Sequence, residues 1–199
     1  MYIICSDLEG VFVPEVWINV SEKTGIPELR RTTRDEPDYD KLMRYRMKIL
    51  DEHGLKLRDI QEVIAQIRPL DGALEFIAWM KERTQLIVVS DTFIQFADPL
   101  MKQLGRPTLF CHSLEIDERN MIVGYTLRQK DPKRRTVEAL QSLKYQVIAM
   151  GDSYNDISML QQAEVGILFR PPDNVLKDYP DLPVAYDYDA LMEILAKYI

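Results

Sequence analysis

The sequence predicts a three-layer α/β domain, in which helices cover both faces of a parallel β-sheet and a small helical cap is inserted after the first strand. Short apolar runs of strand length recur along the chain and alternate with amphipathic segments of helical spacing. One long interval, residues 14–70, contains no strand-like run. Alternating strands and helices are typical of a Rossmann-like parallel sheet, and the interval is the predicted insertion.

Five apolar runs are the predicted strands, because each lacks the polar alternation of a strand with one solvated face. In chain order they are residues 2–5, 86–89, 108–111, 147–150 and 165–169. Residues 121–127 alternate weakly and are predicted to form an antiparallel hairpin with residues 114–116.

Helical spacing predicts the remaining elements. The core helices are residues 72–83, 93–104, 132–143, 155–163 and 187–199. Within the inserted interval, helices are predicted at residues 15–24, 39–53 and 57–67, ended by Gly25, Gly54 and Pro69. The predicted domains are therefore a core of residues 1–13 and 71–199 and a cap of residues 14–70.

Composition excludes several classes of function. The 199 residues include 25 Lys plus Arg and 32 Asp plus Glu, a net charge of −7, which argues against nucleic acid and anionic membranes as partners. Cys5 and Cys111 lie in apolar runs and are expected to be buried and reduced. No apolar run is long enough to span a bilayer, and the first residues do not resemble a secretory signal, so the predicted location is cytoplasmic.

Two carboxylates follow the first predicted strand. Asp7 and Glu9 are two residues apart, so they point to the same side of an extended backbone. Such a pair can bind a cation or divide into a nucleophile and an acid–base group, and Gly10 permits a tight turn. A solvated strand end is the alternative interpretation.

Ser90 and Asp91 follow the second predicted strand, and Lys133 lies in the first turn of a predicted helix. A hydroxyl followed by backbone amides at the start of a helix can bind an anion. A cation in a first helical turn is unfavourable unless an anion lies nearby. The alternatives are a helix-capping role for Asp91 or Thr92 and a surface position for Lys133.

Asp152 and Asp156 follow the fourth predicted strand and complete an oxygen-rich set with Asp7. His53 and His112 have no neighbouring ligands in the sequence, so we expect both to be structural. Ligation by oxygen alone indicates Mg²⁺ rather than Zn²⁺. A carboxylate nucleophile, a hydroxyl, a lysine and an acidic pair together suit phosphoryl transfer to an aspartate.

These segments resemble, in order, the four motifs of the haloacid dehalogenase superfamily. The motifs are Asp7-Leu8-Glu9-Gly10-Val11, Ser90, Lys133 and the run Gly-Asp-Ser-Tyr-Asn-Asp at residues 151–156. The resemblance covers essentially the whole chain and is to phosphoserine phosphatases with a small helical cap. Within these it is to a bacterial subgroup, associated with threonine biosynthesis, that also transfers phosphate from phosphoserine to homoserine.

The resemblance implies a role for each carboxylate. Asp7 would attack the phosphoryl group, and Glu9 would protonate the leaving oxygen and later activate water. Asp7, Asp152 and the backbone carbonyl of Glu9 would bind Mg²⁺, supported by Asp156. The superfamily usually has Asp where Glu9 stands, and a displacement of ~1 Å can cost ~100-fold in rate.

The resemblance also assigns the phosphate-binding residues. Ser90, Lys133 and Asn155 would contact the phosphoryl oxygens, together with Asp91. Phosphoserine phosphatases usually have two glycines after the hydroxyl residue, whereas Asp91 and Thr92 stand here. Asp91 therefore adds a negative charge beside the expected phosphate site.

Two residues of the predicted cap suit an amino-acid substrate. Arg46 lies on the same helical stripe as Leu42 and Ile49, where its guanidinium could bind a carboxylate. Glu15 resembles the family's acidic residue for the substrate amino group. The alternatives are an ion-paired Arg46 on the cap surface and an ordinary first-turn helix acid at Glu15.

The predicted function is a Mg²⁺-dependent phosphoserine phosphatase that forms an aspartyl phosphate and also transfers phosphate to homoserine. The same chemistry on a sugar or nucleotide phosphate is the first alternative. A phosphoaccepting receiver domain is the second, disfavoured by the cap insertion and by the acidic motif that follows Lys133. The sequence leaves a homo-oligomer open.

Overall fold

The computed structural model describes residues 1–32, 35–36 and 38–199, and this part of the chain contains a seven-stranded sheet. The strands lie in the order β4-β3-β2-β1-β5-β6-β7, and neighbours are parallel except for antiparallel β3 and β4. Their bounds are β1 Tyr2–Ser6, β2 Gln85–Phe93, β3 Thr108–Ile116, β4 Ile122–Thr126, β5 Gln146–Gly151, β6 Val165–Phe169 and β7 Val184–Ala185.

Helices cover both faces of this sheet. In chain order, the α-helices of the described residues are α1 Val16–Thr24, α2 Tyr39–Glu52, α3 Leu57–Ile64, α4 Ala73–Lys81, α5 Ile94–Gln103, α6 Pro132–Ser142, α7 Ile157–Gln162, α8 Asp173–Asp178 and α9 Tyr188–Leu195, of which α1–α3 belong to the insertion. Alternate β1 side chains enter different cores. Ile4 packs in a cluster that includes α4 and α9, whereas Cys5 packs in a cluster that includes α6 and α7. The predicted three-layer α/β fold is confirmed.

The inserted interval between β1 and β2 is helical, as predicted. Helix α1 ends at Gly25, whose left-handed φ of 70° lets its N–H bond the Ser21 carbonyl. Helix α3 ends at Ile64, three residues before the predicted end, and the chain continues in tighter turns through Ile67. The domain boundaries at residues 14 and 70 stay a prediction.

Strand β3 combines two elements that the sequence separates. Its first half pairs in parallel with β2, and its second half pairs antiparallel with β4, which confirms the predicted hairpin. Helix α8 and strand β7 were not predicted, because six and two residues are too few for a periodic pattern.

The prediction that both cysteines are buried is only partly correct. Cys5 is buried, whereas Cys111 is half-buried, so the prediction is wrong for Cys111.

No helix in the described ranges has the length and apolar character to cross a membrane.

The turn of the β3–β4 hairpin contacts the inserted helices. The Asn120 carbonyl accepts the Leu57 N–H at 2.9 Å, and the Asn120 Oδ1 accepts the Arg58 N–H at 2.9 Å. These N–H groups belong to the first turn of α3 and would otherwise lack helical acceptors. The core therefore caps a helix of the insertion.

We expect Asn120→Gly to lower the free energy of unfolding through loss of the Oδ1 acceptor. Because Asn120 has a left-handed φ of 67°, glycine also relieves backbone strain, which partly offsets this loss. Lys144→Gly is the matched control, since exposed Lys144 has a φ of 69° and leaves only the relief of strain. In urea denaturation, Asn120→Gly should be less stable than Lys144→Gly by about 1 kcal/mol. Equal changes in the free energy of unfolding for the two variants would contradict the capping role of the Asn120 side chain.

Candidate active site

One cavity of about 590 Å³ collects most of the predicted site residues. It lies beyond the carboxyl ends of β1, β2 and β5, as ligand sites in parallel sheets do. Its walls include Asp7, Glu9, Glu15, Arg46, Ser90, Asp91, Asp152 and Asn155. The two remaining predicted residues, Lys133 and Asp156, are buried and contact each other at 2.7 Å. The structure thus brings all ten predicted site residues together.

Lys133 is a buried cation surrounded by carboxylates. Its Nζ lies 2.7 Å from Asp156 Oδ1, 2.9 Å from Asp7 Oδ1 and 3.7 Å from Asp91 Oδ2. Burial disfavours the ammonium, but these carboxylates, Asp156 first, raise the pKa of Lys133 well above its ordinary value. The alternative of an exposed surface lysine is excluded, since Lys133 is only 2% exposed.

Asp7, Asp152 and Asp156 form an acidic cluster that could hold a metal ion. One carboxylate oxygen of each lies within 4.8 Å of the others. Burial, followed by the charge of Asp156, raises the pKa of Asp152 to about 7 and that of Asp7 well above its ordinary value. The oxygen-only donor set fits a hard divalent cation, whose charge would offset this repulsion.

Two glycines let the backbone approach these carboxylates. A Cβ atom on Gly10, whose φ is +78°, would lie 2.5 Å from the Asp152 Cγ. A Cβ atom on Gly151 would lie 2.3 Å from the Asp156 Cγ. The backbone N–H groups of Asp152 and Ser153 also donate to Asp156 Oδ2 at 3.0 and 3.1 Å, which fixes that carboxylate.

Strand β2 continues through Ser90, Asp91 and Thr92, although the sequence predicts its end at residue 89. Its pairing with β3 shifts register between Val89 and Phe93, so these residues lie in an irregular part of the strand. The Ser90 Oγ accepts the Thr92 N–H at 3.2 Å. Neither Asp91 nor Thr92 caps α5, because the N-cap residue is Phe93.

The carboxyl group of Glu9 points toward the insertion. Its Oε2 accepts the Val16 N–H at 2.7 Å, at the start of α1. Burial, followed by the charge of Glu15, raises the pKa of Glu9 to about 8. The Glu9 side chain is not part of the Asp7–Asp152–Asp156 cluster within the described residues. Metal binding by its backbone carbonyl stays a prediction.

Arg46 is buried against the cavity. Its guanidinium lies over the Trp17 ring at 4.4 Å, and one terminal nitrogen donates to the Arg31 carbonyl at 2.7 Å. Its Nε is buried and has no hydrogen-bond partner in the part of the chain that the structure describes. Burial lowers the pKa of Arg46 to about 10, which still leaves it charged at neutral pH.

Tyr39 and His112 are among the lining residues of this cavity that sequence reasoning did not predict. The Tyr39 hydroxyl donates to the Asp91 carbonyl at 2.9 Å, and His112 lies with its Nε2 3.6 Å from Asp91 Oδ1. Because β3 neighbours β2, the side chains that follow residues 108–111 lie beside Ser90 and Asp91. His112 could have been predicted as a site residue if the sequence analysis had inferred that β3 lies next to β2.

The comparisons with known proteins agree with this geometry. A family model described as haloacid dehalogenase-like hydrolase matches residues 13–164. The chain belongs to this family. The matched span of this haloacid dehalogenase-like hydrolase contains Ser90, Lys133, Asp152 and Asp156, and it begins after Asp7.

This haloacid dehalogenase-like hydrolase is similar to curated Pseudomonas proteins. Phosphoserine phosphatase ThrH of Pseudomonas aeruginosa is 60% identical over 96% of this chain and 93% of its own length. A phosphoserine phosphatase of Pseudomonas syringae pv. tomato is 57% identical over 98% of this chain and 82% of its own length.

Solved structures share the fold. A phosphoserine phosphatase in its apo form superposes with a TM-score of 0.77 at 23% identity, over 99% of this chain and 98% of that chain. A hydrolase from Salmonella enterica gives a TM-score of 0.80 at 17% identity, over 100% of this chain and 72% of that chain.

We expect Gly10→Ala to destabilise the protein more than Gly25→Ala. Both glycines have a left-handed φ, so a methyl group at either position costs about 1–2 kcal/mol in backbone strain. At Gly25 nothing lies within 4 Å of the added Cβ, whereas at Gly10 it meets the Asp152 carboxylate. Thermal denaturation should show at least about 1 kcal/mol of additional loss for Gly10→Ala. Equal losses would contradict the close approach to Asp152.

Proposed function

We propose that this protein is a Mg²⁺-dependent phosphoserine phosphatase that works through an aspartyl phosphate on Asp7. The observation that carries the proposal is Arg46, a buried guanidinium on the wall of the cavity that holds Asp7, whose Nε has no hydrogen-bond partner among the described residues. Glu9 and Glu15 interact electrostatically with Arg46, but neither forms an ion pair with it among the described residues. The carboxylate of an amino-acid substrate would supply a direct partner for this buried charge. Two relatives at 60% and 57% identity that are named phosphoserine phosphatase support the substrate.

Asp7 is the proposed nucleophile. One of its oxygens forms a bond to phosphorus while the bond between phosphorus and the serine oxygen breaks. Glu9 gives its proton to the departing serine oxygen, then takes a proton from the water that attacks the aspartyl phosphate. Inorganic phosphate leaves, and Asp7 is restored. A pKa of about 8 leaves Glu9 protonated at neutral pH, as the first step requires.

Four residues are proposed to bind the phosphoryl oxygens. Lys133, 2.9 Å from Asp7, places its ammonium where negative charge develops in the transition state. The Ser90 hydroxyl and the Asn155 amide would donate from the cavity wall, and Asp91, on the same wall, is the fourth proposed contact.

Asp7, Asp152 and the Glu9 backbone carbonyl are the proposed Mg²⁺ ligands, with Asp156 supporting the site. When bound, Mg²⁺ neutralises charge on the phosphoryl group. The carboxylate cluster and its oxygen-only chemistry support this assignment.

We expect Asp152→Asn to weaken Mg²⁺ binding at least about 10-fold, because the amide is a neutral ligand. Isothermal titration with MgCl₂ measures this without substrate. Asp51→Asn, at an exposed position on α2, is the matched control and should bind Mg²⁺ like the wild type. An unchanged Mg²⁺ affinity for Asp152→Asn would show that the site is misplaced.

The two ends of the amino-acid moiety have separate partners. The Arg46 guanidinium, oriented by its stacking on Trp17, is the proposed binding group for the substrate carboxylate. Glu15, on the same cavity wall, is the proposed acceptor for the ammonium group. A sugar or nucleotide monophosphate lacks this pair of charges, so the Arg46 site favours phosphoserine over the first alternative.

Arg46→Ala should separate the substrates. Loss of the charge-assisted pair to the carboxylate should lower kcat/KM for phosphoserine on the order of 100-fold. We expect p-nitrophenyl phosphate, which has no carboxylate, to lose only a few-fold. Arg44→Ala changes an exposed arginine on the same helix and should leave both rates unchanged. Equal losses on both substrates would assign Arg46 to the fold or to phosphate binding instead.

We also propose that the aspartyl phosphate on Asp7 is transferred to homoserine. Homoserine has one more methylene than serine, and the cavity of about 590 Å³ leaves room for it. The Glu9 carboxyl, in the acid–base position, could deprotonate either the homoserine hydroxyl or water.

With phosphoserine, Mg²⁺ and excess homoserine, we expect ³¹P NMR to detect phosphohomoserine. Glu9→Asp should change the ratio of transfer to hydrolysis, because the shorter side chain moves the acid–base group by about 1 Å. If inorganic phosphate is the only product at saturating homoserine, the protein is a phosphatase without transferase activity. If Glu9→Asp does not change the ratio of transfer to hydrolysis, Glu9 does not determine that ratio.

A further inference from the structure

A chain of polar contacts connects His112 on β3 to Lys133 through Asp91. His112 is 5% exposed, and its Nε2 lies 3.6 Å from Asp91 Oδ1. The other carboxylate oxygen, Asp91 Oδ2, lies 3.7 Å from the Lys133 Nζ and accepts the Asn155 amide at 3.1 Å. Both oxygens of the Asp91 carboxylate therefore have polar neighbours: His112 lies beside Oδ1, and two proposed phosphate-binding residues lie beside Oδ2.

A hydrogen bond at Nδ1 fixes the tautomer of His112. Its Nδ1 accepts the backbone N–H of Arg128 at 3.1 Å, so Nδ1 carries no proton. In the neutral ring the proton is then on Nε2, the nitrogen that faces Asp91. The rings of Tyr39 and Phe93, with centroids 6.4 and 6.3 Å away, surround the imidazole and limit its rotation.

We propose that His112 is a positioning residue, which holds the Asp91 side chain against Lys133 and Asn155 and so keeps both directed at the phosphoryl group. This inference rests on the proposed function.

The charge of Asp91 explains why such a residue is needed. Asp91 lines the cavity and is ionised: burial opposes its charge, but Lys133, His112 and Asn155 together hold its pKa below the ordinary value. A mobile carboxylate there could move closer to Lys133 and take the place of a phosphate dianion. With His112 beside its other oxygen, Asp91 Oδ2 stays 3.7 Å from the Lys133 Nζ, farther away than Asp7 at 2.9 Å and Asp156 at 2.7 Å.

Two substitutions of His112 separate its two contacts. The amide nitrogen of glutamine reaches about as far as Nε2, so His112→Gln can still donate to Asp91. The oxygen of asparagine reaches only as far as Nδ1, so His112→Asn can keep the Arg128 contact but not the Asp91 contact. The matched control is His53→Asn, since exposed His53 ends α2 outside the cavity lining.

The experiment measures kcat and KM for both phosphoserine and p-nitrophenyl phosphate. We expect His112→Asn to lower kcat about 10- to 100-fold on both substrates, the range typical of residues that orient an active group. KM and the melting temperature should change little by comparison. His112→Gln should recover most of the lost kcat, and His53→Asn should match the wild type. In an Asp91→Asn background, His112→Asn should add no further loss, because both changes break the same chain.

Equal losses for His112→Asn and His112→Gln, or additive losses with Asp91→Asn, would overturn the proposal. Side-chain ¹⁵N NMR gives a test without substrate, because the proposal requires a protonated Nε2 and an unprotonated Nδ1. The reverse tautomer would also overturn it. A wild type active on p-nitrophenyl phosphate but not on phosphoserine would contradict the proposed substrate alone, and the His112 comparison would still stand.

Discussion

The contact on which this site depends is the buried Lys133 ammonium held between Asp7 and Asp156. Three carboxylates so close together repel one another, and burial amplifies the repulsion because water no longer screens it. One cation, 2.9 Å from Asp7 and 2.7 Å from Asp156, compensates part of this repulsion. The same three carboxyl groups could hold a metal ion, and the ammonium lies beside them.

The fold brings these groups together from distant parts of the chain. Parallel pairing of β1 with β5 places Asp7 beside Asp152, and the start of α6 supplies Lys133. The insertion then adds Arg46, whose guanidinium lacks a partner for Nε in the described ranges. The core therefore carries groups suited to phosphate chemistry, whereas the insertion carries the group suited to a carboxylate.

The sequence predicted six of the seven strands and the meeting of their polar ends at one cavity, because buried parallel strands appear in a sequence as apolar runs that end in polar residues. It did not predict that β2 continues past Ser90, since the register shift there arises from pairing with β3. Asp131 precedes Pro132 at the start of α6, a position typical of a helix-capping side chain. It has a left-handed φ of 50°, and its carboxylate accepts hydrogen bonds from Arg134 and Ser158 rather than from the α6 backbone. His112 is expected from the sequence to be structural because it has no neighbouring ligand there. Its contact with Asp91 joins two strands and depends on strand order, so a local pattern does not predict it.

The central claim is that Asp7 becomes phosphorylated during turnover, and rapid acid quench followed by peptide mass spectrometry tests it most directly. With phosphoserine and Mg²⁺, the quenched wild type should carry one phosphoryl group on the peptide that contains Asp7. Asp7→Asn should carry none and should release no phosphate, because an amide is a poor nucleophile. Phosphate release that continues in Asp7→Asn, or a phosphoryl group found on another residue, would contradict the account.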